Sequence, residues 1–382
     1  MQKVSVRFLI LQAMLIFESI IFYLYLACTL SIVFFLLYFV RRINKYKELP
    51  LEKSTVPVSV IVCAHNEALN LKKNLPFILE QDYAAYEVIV VNDRSTDASR
   101  DVVLNFMKQY SNLKLVDISE EEKKGLGKKY PLSRGIALAK NEHLLLTDAD
   151  CRSQSKHWMS YMMSGFAPGK EIVLGFGKYE KRNGGVNKLV QFDTFFVAIQ
   201  YFSFALSGLP YMGVGRNIAY KKSLFEKQGG FKSHEDVASG DDDLFVMRAA
   251  TKENTSVMMH VDAHTISVGK ENFEQYWFQK TRHLSTGKWY KGELLFHLSV
   301  ISTSFLAFPL LLWLNLLLNN MVLVVLAVWL LKLILHYYIF KAALLKLVSG
   351  VNLILSLMFC NILMVLNQAV AYRNLIIKKD KW

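Results

Sequence analysis

Long apolar runs at both ends of the chain restrict its fold more than any other feature. Residues 20–40 contain no charged residue over 21 positions, which matches the ~20 residues that a helix needs to cross a bilayer. Three further runs of spanning length lie near the other end of the chain, at residues 296–318, 321–340 and 351–372. The sequence therefore predicts an integral membrane protein.

Charge is concentrated between these runs. Of the 32 acidic residues, only Glu18 lies in residues 1–40 and only Asp380 lies in residues 296–382. The chain is 53% apolar and 20% charged, which is too apolar for an ordinary soluble enzyme. Its net charge of +13 favours an anionic membrane surface and phosphate-bearing ligands. No nucleic-acid partner is expected, because no nucleic-acid-binding motif accompanies this charge.

Basic residues beside the first run orient the chain. Arg41 and Arg42 follow it directly, and such residues mark the cytoplasmic side of a span. We therefore expect residues 1–42 to be an uncleaved transmembrane anchor and residues 43–290 to be a cytoplasmic domain. Residues 291–382 are predicted to be a C-terminal transmembrane region with about three apolar segments. The predicted location is the plasma (inner) membrane.

The membrane segments leave several alternatives open. The apolar stretch 8–17 is an extra helical turn, a helix on the membrane surface or part of a longer tilted span. Lys332 and His336 interrupt the second C-terminal run, and they either face a protein interior or reach toward the membrane surface. Three C-terminal crossings would place the basic tail, residues 373–382, outside the cell, against the positive-inside tendency, unless one segment is re-entrant.

The polar part of the chain alternates between two patterns. Short runs rich in Val, Ile and Leu occupy residues 58–63, 87–91, 113–117 and 143–147. Stretches with helical spacing separate them, at residues 69–79, 98–110 and 132–140. This alternation predicts an α/β fold, with helices flanking a largely parallel sheet. In such sheets, ligands bind beyond the carboxyl ends of the strands.

An Asp-x-Asp pattern follows the fourth run. The carboxylates of Asp148 and Asp150 suit a hard cation, Mn²⁺ or Mg²⁺, which would in turn bind a diphosphate; the alternative is a surface turn. No GxGxxG or GxxxxGK[ST] segment follows any strand, which argues against a dinucleotide dehydrogenase and a P-loop NTPase. The four cysteines show neither disulfide nor zinc-ligand spacing.

Polar residues also follow the first two runs. Asn66 and Glu67 come after the first, and Asp93 comes after the second. Asp93 either accepts a hydrogen bond from a nucleobase or ribose or, together with Asp97, opens the next helix.

Three adjacent acids, Asp241, Asp242 and Asp243, open a later helical stretch. A helix N-terminus favours carboxylates, but three side by side repel one another. This crowding raises at least one pKa, which makes a carboxylate usable as a general base.

Two basic segments complete the set of candidates. Gly215, Arg216 and Asn217 form either a close backbone approach to a ligand or a tight turn. Gln279 and Arg282 share one face of an aromatic and basic helix just before the second apolar region, which is typical of an interfacial helix.

Taken in order, these segments resemble glycosyltransferase family 2, the inverting enzymes with the GT-A fold, and specifically its membrane-embedded members. The resemblance covers about residues 56–290. VSVIVCAHNEALNL resembles the opening strand, VIVVNDRSTDAS the second strand, GKKYPLSRGIALA the lysine-bearing helix and HLLLTDADC the metal-binding segment. MGVGRNIAYKKSLFEKQGGF is similar to the acceptor-side loop, and GDDDLF is similar to the segment that supplies the catalytic base.

The resemblance implies roles for individual residues. The donor-binding residues would be Asn66, Glu67, Asp93, Lys128, Lys129 and Asp148. The metal would be held by Asp150, with Asp148 assisting. Asp242 matches the catalytic base best, and Asp241 and Asp243 remain alternatives. Residues on the acceptor or diphosphate side would be Gly215, Arg216, Asn217, Gln279 and Arg282.

The implied function is transfer of a sugar from a nucleotide-sugar, with UDP-sugars favoured, to a hydroxyl of a lipid or lipid-linked glycan. One alternative is a processive polysaccharide synthase. His283 stands where the family's QxxRW segment has Trp, and this departure argues against a processive enzyme. The alternative from another class is a membrane protein that binds nucleotide-sugars without turnover, which would need no acidic trio.

Overall fold

A mixed seven-stranded β-sheet forms the centre of the polar domain in the computed structural model, which describes residues 2–48, 56–123, 125 and 127–347. Its strand order is β3-β2-β1-β4-β8-β6-β9. The strands are β1 (Val58–Ala64), β2 (Tyr86–Asp93), β3 (Leu113–Ile118), β4 (His143–Asp148), β6 (Ile172–Leu174), β8 (Ile218–Lys221) and β9 (Thr255–Val257). Strands β1 to β4 are mutually parallel, whereas β8 pairs antiparallel with both β4 and β6.

A second, three-stranded sheet lies beyond the carboxyl end of β4. Its order is β5-β10-β7, with β5 at Cys151–Ser153, β7 at Gly177–Tyr179 and β10 at Thr265–Ser267. Only Ala149 and Asp150 separate β4 from β5. The chain therefore passes from one sheet to the other through the Asp-x-Asp segment.

Helices flank the large sheet on both faces. They are α3 (Ala68–Leu79), α4 (Ser99–Met107), α5 (Lys129–Leu138), α6 (Trp158–Ser164), α7 (Gly185–Leu206), α8 (Lys222–Lys227), α9 (Asp243–Ala249) and α10 (Phe273–Leu284). Successive residues of β1 point to opposite faces: Val60 and Val62 join one buried cluster with α3 and α6, while Ile61 joins another with α5 and α7. The predicted α/β fold, its first four strands and the helices between them are confirmed.

The N-terminal apolar stretch is one long helical rod. Helix α1 (Gln2–Phe34) continues through a π-helical turn at Phe35–Val40 into α2 (Arg41–Lys45). Residues 8–17 are therefore continuous with this rod. The other long apolar helices are α11 (Gly292–Leu318) and α12 (Val322–Leu347). The third C-terminal run, residues 351–372, and the basic tail lie outside the described residues.

Helix α7 is the long helix that the sequence pattern did not predict. Within the described part of the chain, four helices are long and apolar enough to cross a membrane, and α7 is one of them. It differs from the other three because most of it is buried inside the protein. Phe204 of α7 stacks on Phe39 of the N-terminal rod with ring centroids 4.3 Å apart. Helix α7 thus joins the apolar rod to the polar domain.

The remaining apolar helices pack on one another through their buried faces. Tyr25 of α1 is fully buried, and its hydroxyl donates to the backbone oxygen of Val325 in α12 at 3.0 Å. Lys332 and His336 are 6% and 2% exposed. Both residues therefore face the protein interior, as ionisable groups in spanning helices usually do.

Candidate active site

The carboxyl ends of β1, β2 and β4 lie side by side. Cys63 in β1 pairs with Val91 in β2 and with Asp148 in β4. The polar residues that follow these strands therefore meet at one edge of the sheet, as the strand pattern predicts.

The turns after β1 and β2 are tied together by side chains. Asn66 adopts the left-handed backbone conformation with φ of 55°. Its carboxamide oxygen accepts from the backbone N–H of Thr96 at 2.8 Å. Asp97 accepts from the backbone N–H of Ala68 at 3.0 Å and from that of Ser99 at 2.9 Å. Asp97 therefore holds the first turns of α3 and α4. Donor binding by Asn66 stays a prediction, since its oxygen is engaged in this turn.

Asp93 ends β2 as a buried carboxylate with two cationic partners. Its Oδ1 lies 3.1 Å from Nε of Arg94, and its Oδ2 lies 2.7 Å from Nζ of Lys123. Lys123 also donates to the backbone oxygen of Gly127. These contacts fix the orientation of Asp93 and attach the loop before α5 to the end of β2.

The Asp-x-Asp segment forms a compact oxygen-rich cluster. Carboxylate oxygens of Asp148 and Asp150 and the sulfur of Cys151 lie within 4.8 Å of one another. Nζ of Lys128 lies 2.5 Å from Oδ1 of Asp148. Burial opposes ionisation of Asp148, but Lys128 together with Arg216 and Arg282 outweighs it and lowers the pKa of this carboxyl. Burial and the neighbouring Asp148 raise the pKa of Asp150. This cluster can accept a hard cation, which would relieve the repulsion between the two carboxylates.

Glu67 lies near this cluster, on the first turn beyond β1. Its carboxylate accepts from the side chain of Asn70 at 2.5 Å. Burial raises the pKa of Glu67, and the negative charge of Asp150 adds to the effect.

An open cavity joins the Asp-x-Asp segment to the rest of the predicted site. Its walls include the Asp-x-Asp segment, the acidic trio, the loop at Gly215 and the inner faces of α7 and α10.

The two candidate lysines have different positions. Lys128 lines the cavity, whereas Lys129 donates to the backbone oxygens of Val237 and Ser239. Lys129 therefore supports the loop that leads to the acidic trio.

The three members of the acidic trio have different surroundings. Asp243 is buried, and its Oδ2 accepts from Thr286 at 2.5 Å and from Tyr290 at 2.9 Å. Asp242 caps α9 by accepting from the backbone N–H of Asp243 at 2.8 Å. Within the described part of the chain, no donor contacts the carboxylate of Asp241. Asp241 and Asp242 thus remain the members that can meet a ligand.

Asp242 has the electrostatic properties of a general base. Burial raises the pKa of its carboxyl to about 7, and the neighbouring Asp241 and Asp243 contribute in the same direction. Backbone N–H groups of Gly215 and Asp243 partly oppose this rise. A carboxyl that titrates near neutral pH can take a proton from a hydroxyl.

The loop at Gly215 contributes one residue to the cavity and one to the core. The guanidinium of Arg216 lines the cavity and stacks over the ring of Tyr179 at 4.4 Å. Asn217 is fully buried; it accepts from Trp158 at 3.0 Å and donates to the backbone oxygens of Phe176 and Ala263. The placement of Asn217 therefore differs from the predicted ligand contact, because its side-chain amide is used for hydrogen bonds inside the protein core.

Helix α10 brings its predicted pair to the cavity. Gln279 and Arg282 both line it, and Gln279 donates to the hydroxyl of Tyr179 at 3.1 Å. His283 lies beside Arg282, with 3.3 Å between Nη2 of the arginine and Nε2 of the histidine. Burial and the adjacent Arg282 lower the pKa of His283. This histidine is therefore neutral at physiological pH.

Helix α7 supplies the wall residues that sequence reasoning missed. Asp193 and Thr194 line the cavity beside α10. The available signal was Asp193 itself, an ionisable residue inside the long apolar stretch of residues 189–206. Such residues usually face a protein interior or a functional site.

This fold and site define the class of the protein. Residues 59–229 match glycosyl transferase family 2. This part of the chain is a domain of that family. The resemblance seen in the sequence is confirmed.

Relatives and a solved structure agree with this assignment. A probable glycosyltransferase of Bacillus subtilis, YdaM, is 27% identical over 254 residues, which cover 64% of this chain and 58% of that protein. Glycosyltransferase AglE of Haloferax volcanii is 30% identical over 206 residues, which cover 51% of this chain and 62% of that protein. The chain thus spans less than two thirds of either relative.

The fold is shared with a mannosyltransferase from Pyrobaculum calidifontis, PcManGT, solved in complex with GDP-Man and Mn²⁺. The two structures superpose with a TM-score of 0.62 at 19% identity, and the match covers 95% of this chain and 99% of the other. This likeness shows the GT-A fold together with the apolar helices. Four helices suited to a membrane, within the described residues, agree with membrane association.

Proposed function

We propose that this protein is a membrane-bound inverting glycosyltransferase that moves a sugar from a nucleotide-sugar, with UDP-sugars as the first candidates, to a hydroxyl of a lipid or lipid-linked glycan. The single observation that carries this proposal is the position of Asp242. Its carboxyl, with a pKa of about 7, lines the same cavity as Asp148 and Asp150. A general base and a diphosphate-binding cluster are the two parts that the reaction needs.

In this mechanism the acceptor oxygen attacks the anomeric carbon of the sugar. The new carbon–oxygen bond forms as the bond from that carbon to the diphosphate breaks, and the nucleoside diphosphate leaves with the electron pair. Asp242 takes the proton of the acceptor hydroxyl. Attack from the face opposite the leaving group inverts the anomeric configuration.

Residues of the cavity would bind the leaving diphosphate. Asp148 and Asp150 would hold Mn²⁺ or Mg²⁺, because their oxygens are close enough to share one hard cation. When bound, this cation neutralises charge that develops on the diphosphate. The protein also supplies positive charge from side chains that line the cavity, namely those of Lys128, Arg216 and Arg282. The Mn²⁺ complex of the mannosyltransferase that shares the fold supports a divalent metal.

The acidic trio favours a hydroxyl acceptor over a phosphate acceptor. A phosphate group is already ionised at neutral pH and needs no base, and three nearby carboxylates would repel it.

The apolar helices favour an acceptor that reaches the site from the membrane. Exposed aromatic side chains of Phe273, Phe278 and Trp289, on and just after α10, suit a membrane surface. Nucleotide-sugars are cytoplasmic, which agrees with a cytoplasmic catalytic domain anchored in the plasma membrane.

Transfer by the purified protein tests the proposal. The protein is incubated with a panel of UDP- and GDP-sugars, Mn²⁺ and total membrane lipid, and both nucleoside diphosphate release and labelled lipid are measured. We expect one donor to give a labelled lipid product with a single added sugar. Donor binding without release would instead indicate the non-catalytic binding protein, and a long polymer would indicate the processive synthase.

A further inference from the structure

A buried ion pair joins α7 to α10 at the wall of the cavity. Nζ of Lys280 lies 2.7 Å from Oδ1 and 2.9 Å from Oδ2 of Asp193. The two residues are only 7% and 8% exposed. The ammonium thus contacts both oxygens of one carboxylate, which defines its position more closely than a single contact would.

Apolar and polar residues both line the cavity wall around this pair. Val190 and Val197 lie one helical turn before and after Asp193 on α7, and both line the same cavity. An ion pair in such a place gives little net stability compared with apolar side chains of the same size. Its value lies in geometry: two apolar faces can slide or rotate past each other, whereas an ion pair fixes one relative position of the two helices.

Lys280 lies between the two residues of α10 that face the donor end of the cavity. Gln279 precedes it directly, and Arg282 follows two positions later. Arg282 lines the same cavity as Asp148 and Asp150. A rotation of α10 about its axis would move Arg282 away from these carboxylates and break the contact from Gln279 to Tyr179.

We propose that Asp193 and Lys280 are positioning residues that set the rotation of α10, so that Arg282 reaches the β-phosphate of the bound nucleotide. This inference rests on the proposed function, because it requires a nucleoside diphosphate in the cavity. It assigns Asp193 and Lys280 no contact with the nucleotide. The proposed function assigns the nucleoside end of the donor to Asp93, so the pair should affect the β-phosphate selectively.

The test compares two nucleotides on the full-length protein in detergent. Affinities for UDP and UMP, or for GDP and GMP if the protein prefers guanine, are measured by calorimetry in the presence of Mn²⁺. The variants are Asp193→Asn, Lys280→Met and Lys280→Arg. The matched control is Glu87→Gln, which breaks another ion pair of a buried carboxylate, with Lys114 at 2.7 Å, away from the cavity.

We expect Asp193→Asn and Lys280→Met to weaken diphosphate binding by about 10-fold or more, since a contact to a charged group is lost. Monophosphate binding should change by less than about 2-fold. Lys280→Arg keeps the charge and should bind both nucleotides like the wild type. Glu87→Gln should lower thermal stability without changing the ratio of the two affinities. If Lys280→Met does not fold, Asp193→Asn provides the same comparison with a smaller change of shape.

Equal loss of both affinities in Asp193→Asn would overturn the inference, as would unchanged affinities, because the pair would then be a structural contact. Loss of diphosphate binding in Lys280→Arg would also contradict the inference, since this conservative variant should keep wild-type binding. Absence of nucleotide binding by the wild-type protein is a different outcome, and it would count against the proposed function itself.

Discussion

The backbone N–H of Gly215 donates a hydrogen bond of 2.8 Å to Oδ2 of Asp242. The other oxygen of this carboxylate accepts from the N–H of Asp243 at 2.8 Å. Two fixed donors therefore orient the carboxylate, while burial and the acids on either side keep its pKa high. The side chain is thus both oriented and basic, which is the combination that general-base catalysis requires.

The pH dependence of transfer should follow the ionisation of Asp242. As a base, this carboxyl must be ionised, and its pKa is about 7. We therefore expect kcat/KM to rise with pH by ~10-fold per unit below neutrality and to level off above it. Initial rates across a series of buffers check this slope. A flat profile between about pH 5.5 and 8 would contradict the assignment.

Replacing Asp242 should also change stability in a pH-dependent way. Because its folded-state pKa lies above the ordinary value of 3.8, folding is penalised increasingly as pH rises from that value to about 7, and the penalty stays constant above. Asp242→Asn should therefore be more stable than wild type at pH ~8, by up to about 4 kcal/mol, and the gain should be smaller at pH ~5. Thermal unfolding at both pH values measures this gain. The exposed Glu253→Gln serves as the control. A gain of the same size in that variant would show that the stability effect is not specific to Asp242.

Asp243 should act on stability rather than on chemistry. Thr286→Val removes a donor to its buried carboxylate and should cost about 1–3 kcal/mol of unfolding free energy. Transfer per folded molecule should stay close to that of the wild type. The measurements are thermal unfolding and kcat on the same preparation. A fall of ~100-fold or more in kcat at unchanged stability would give Asp243 a chemical role.

Metal binding should depend on the Asp-x-Asp segment. Asp150→Asn removes one of two carboxylates close enough to share a cation, so it should lose Mn²⁺ binding together with metal-dependent donor binding. Loss of the free Mn²⁺ signal in electron paramagnetic resonance measures binding directly, without an activity assay. Glu253→Gln should bind Mn²⁺ like the wild type. Unchanged binding by Asp150→Asn would exclude this residue as a ligand.

Topology can be tested with single cysteines in a chain whose four natural cysteines are replaced by alanine. Leu69 is 85% exposed on α3 in the catalytic domain, and Asn320 is exposed between α11 and α12. A cytoplasmic catalytic domain predicts that an impermeant thiol reagent added to intact cells labels Asn320→Cys and not Leu69→Cys. The opposite pattern would reverse the proposed orientation.

Local pattern was enough to predict the strands that carry the site. Strands β1 to β4 have six to eight residues, which is long enough for a run of Val, Ile and Leu to stand out. Strands β5, β7, β9 and β10 have three residues each, too few to show a period. Helix α7 was missed because it is apolar on nearly all sides, so it lacks the one-sided pattern of a surface helix.

The roles within the acidic trio could not be separated by sequence alone. Asp242 and Asp243 are adjacent and identical in type, and they differ only in their tertiary partners. Thr286 and Tyr290, which contact Asp243, are more than 40 positions away along the chain. The same reason applies to Arg216 and Asn217, where only the fold decides which side chain reaches the cavity.

The most direct test of the proposed function separates donor binding from transfer in Asp242→Asn. Asparagine keeps the shape of the side chain but cannot accept a proton at neutral pH. The account predicts that transfer falls by ~10²–10⁴-fold, while donor affinity stays close to that of the wild type because Asp93 and the metal site are intact. Near-normal transfer by the folded variant would remove Asp242 as the base, and loss of donor binding would make the trio part of the nucleotide pocket instead.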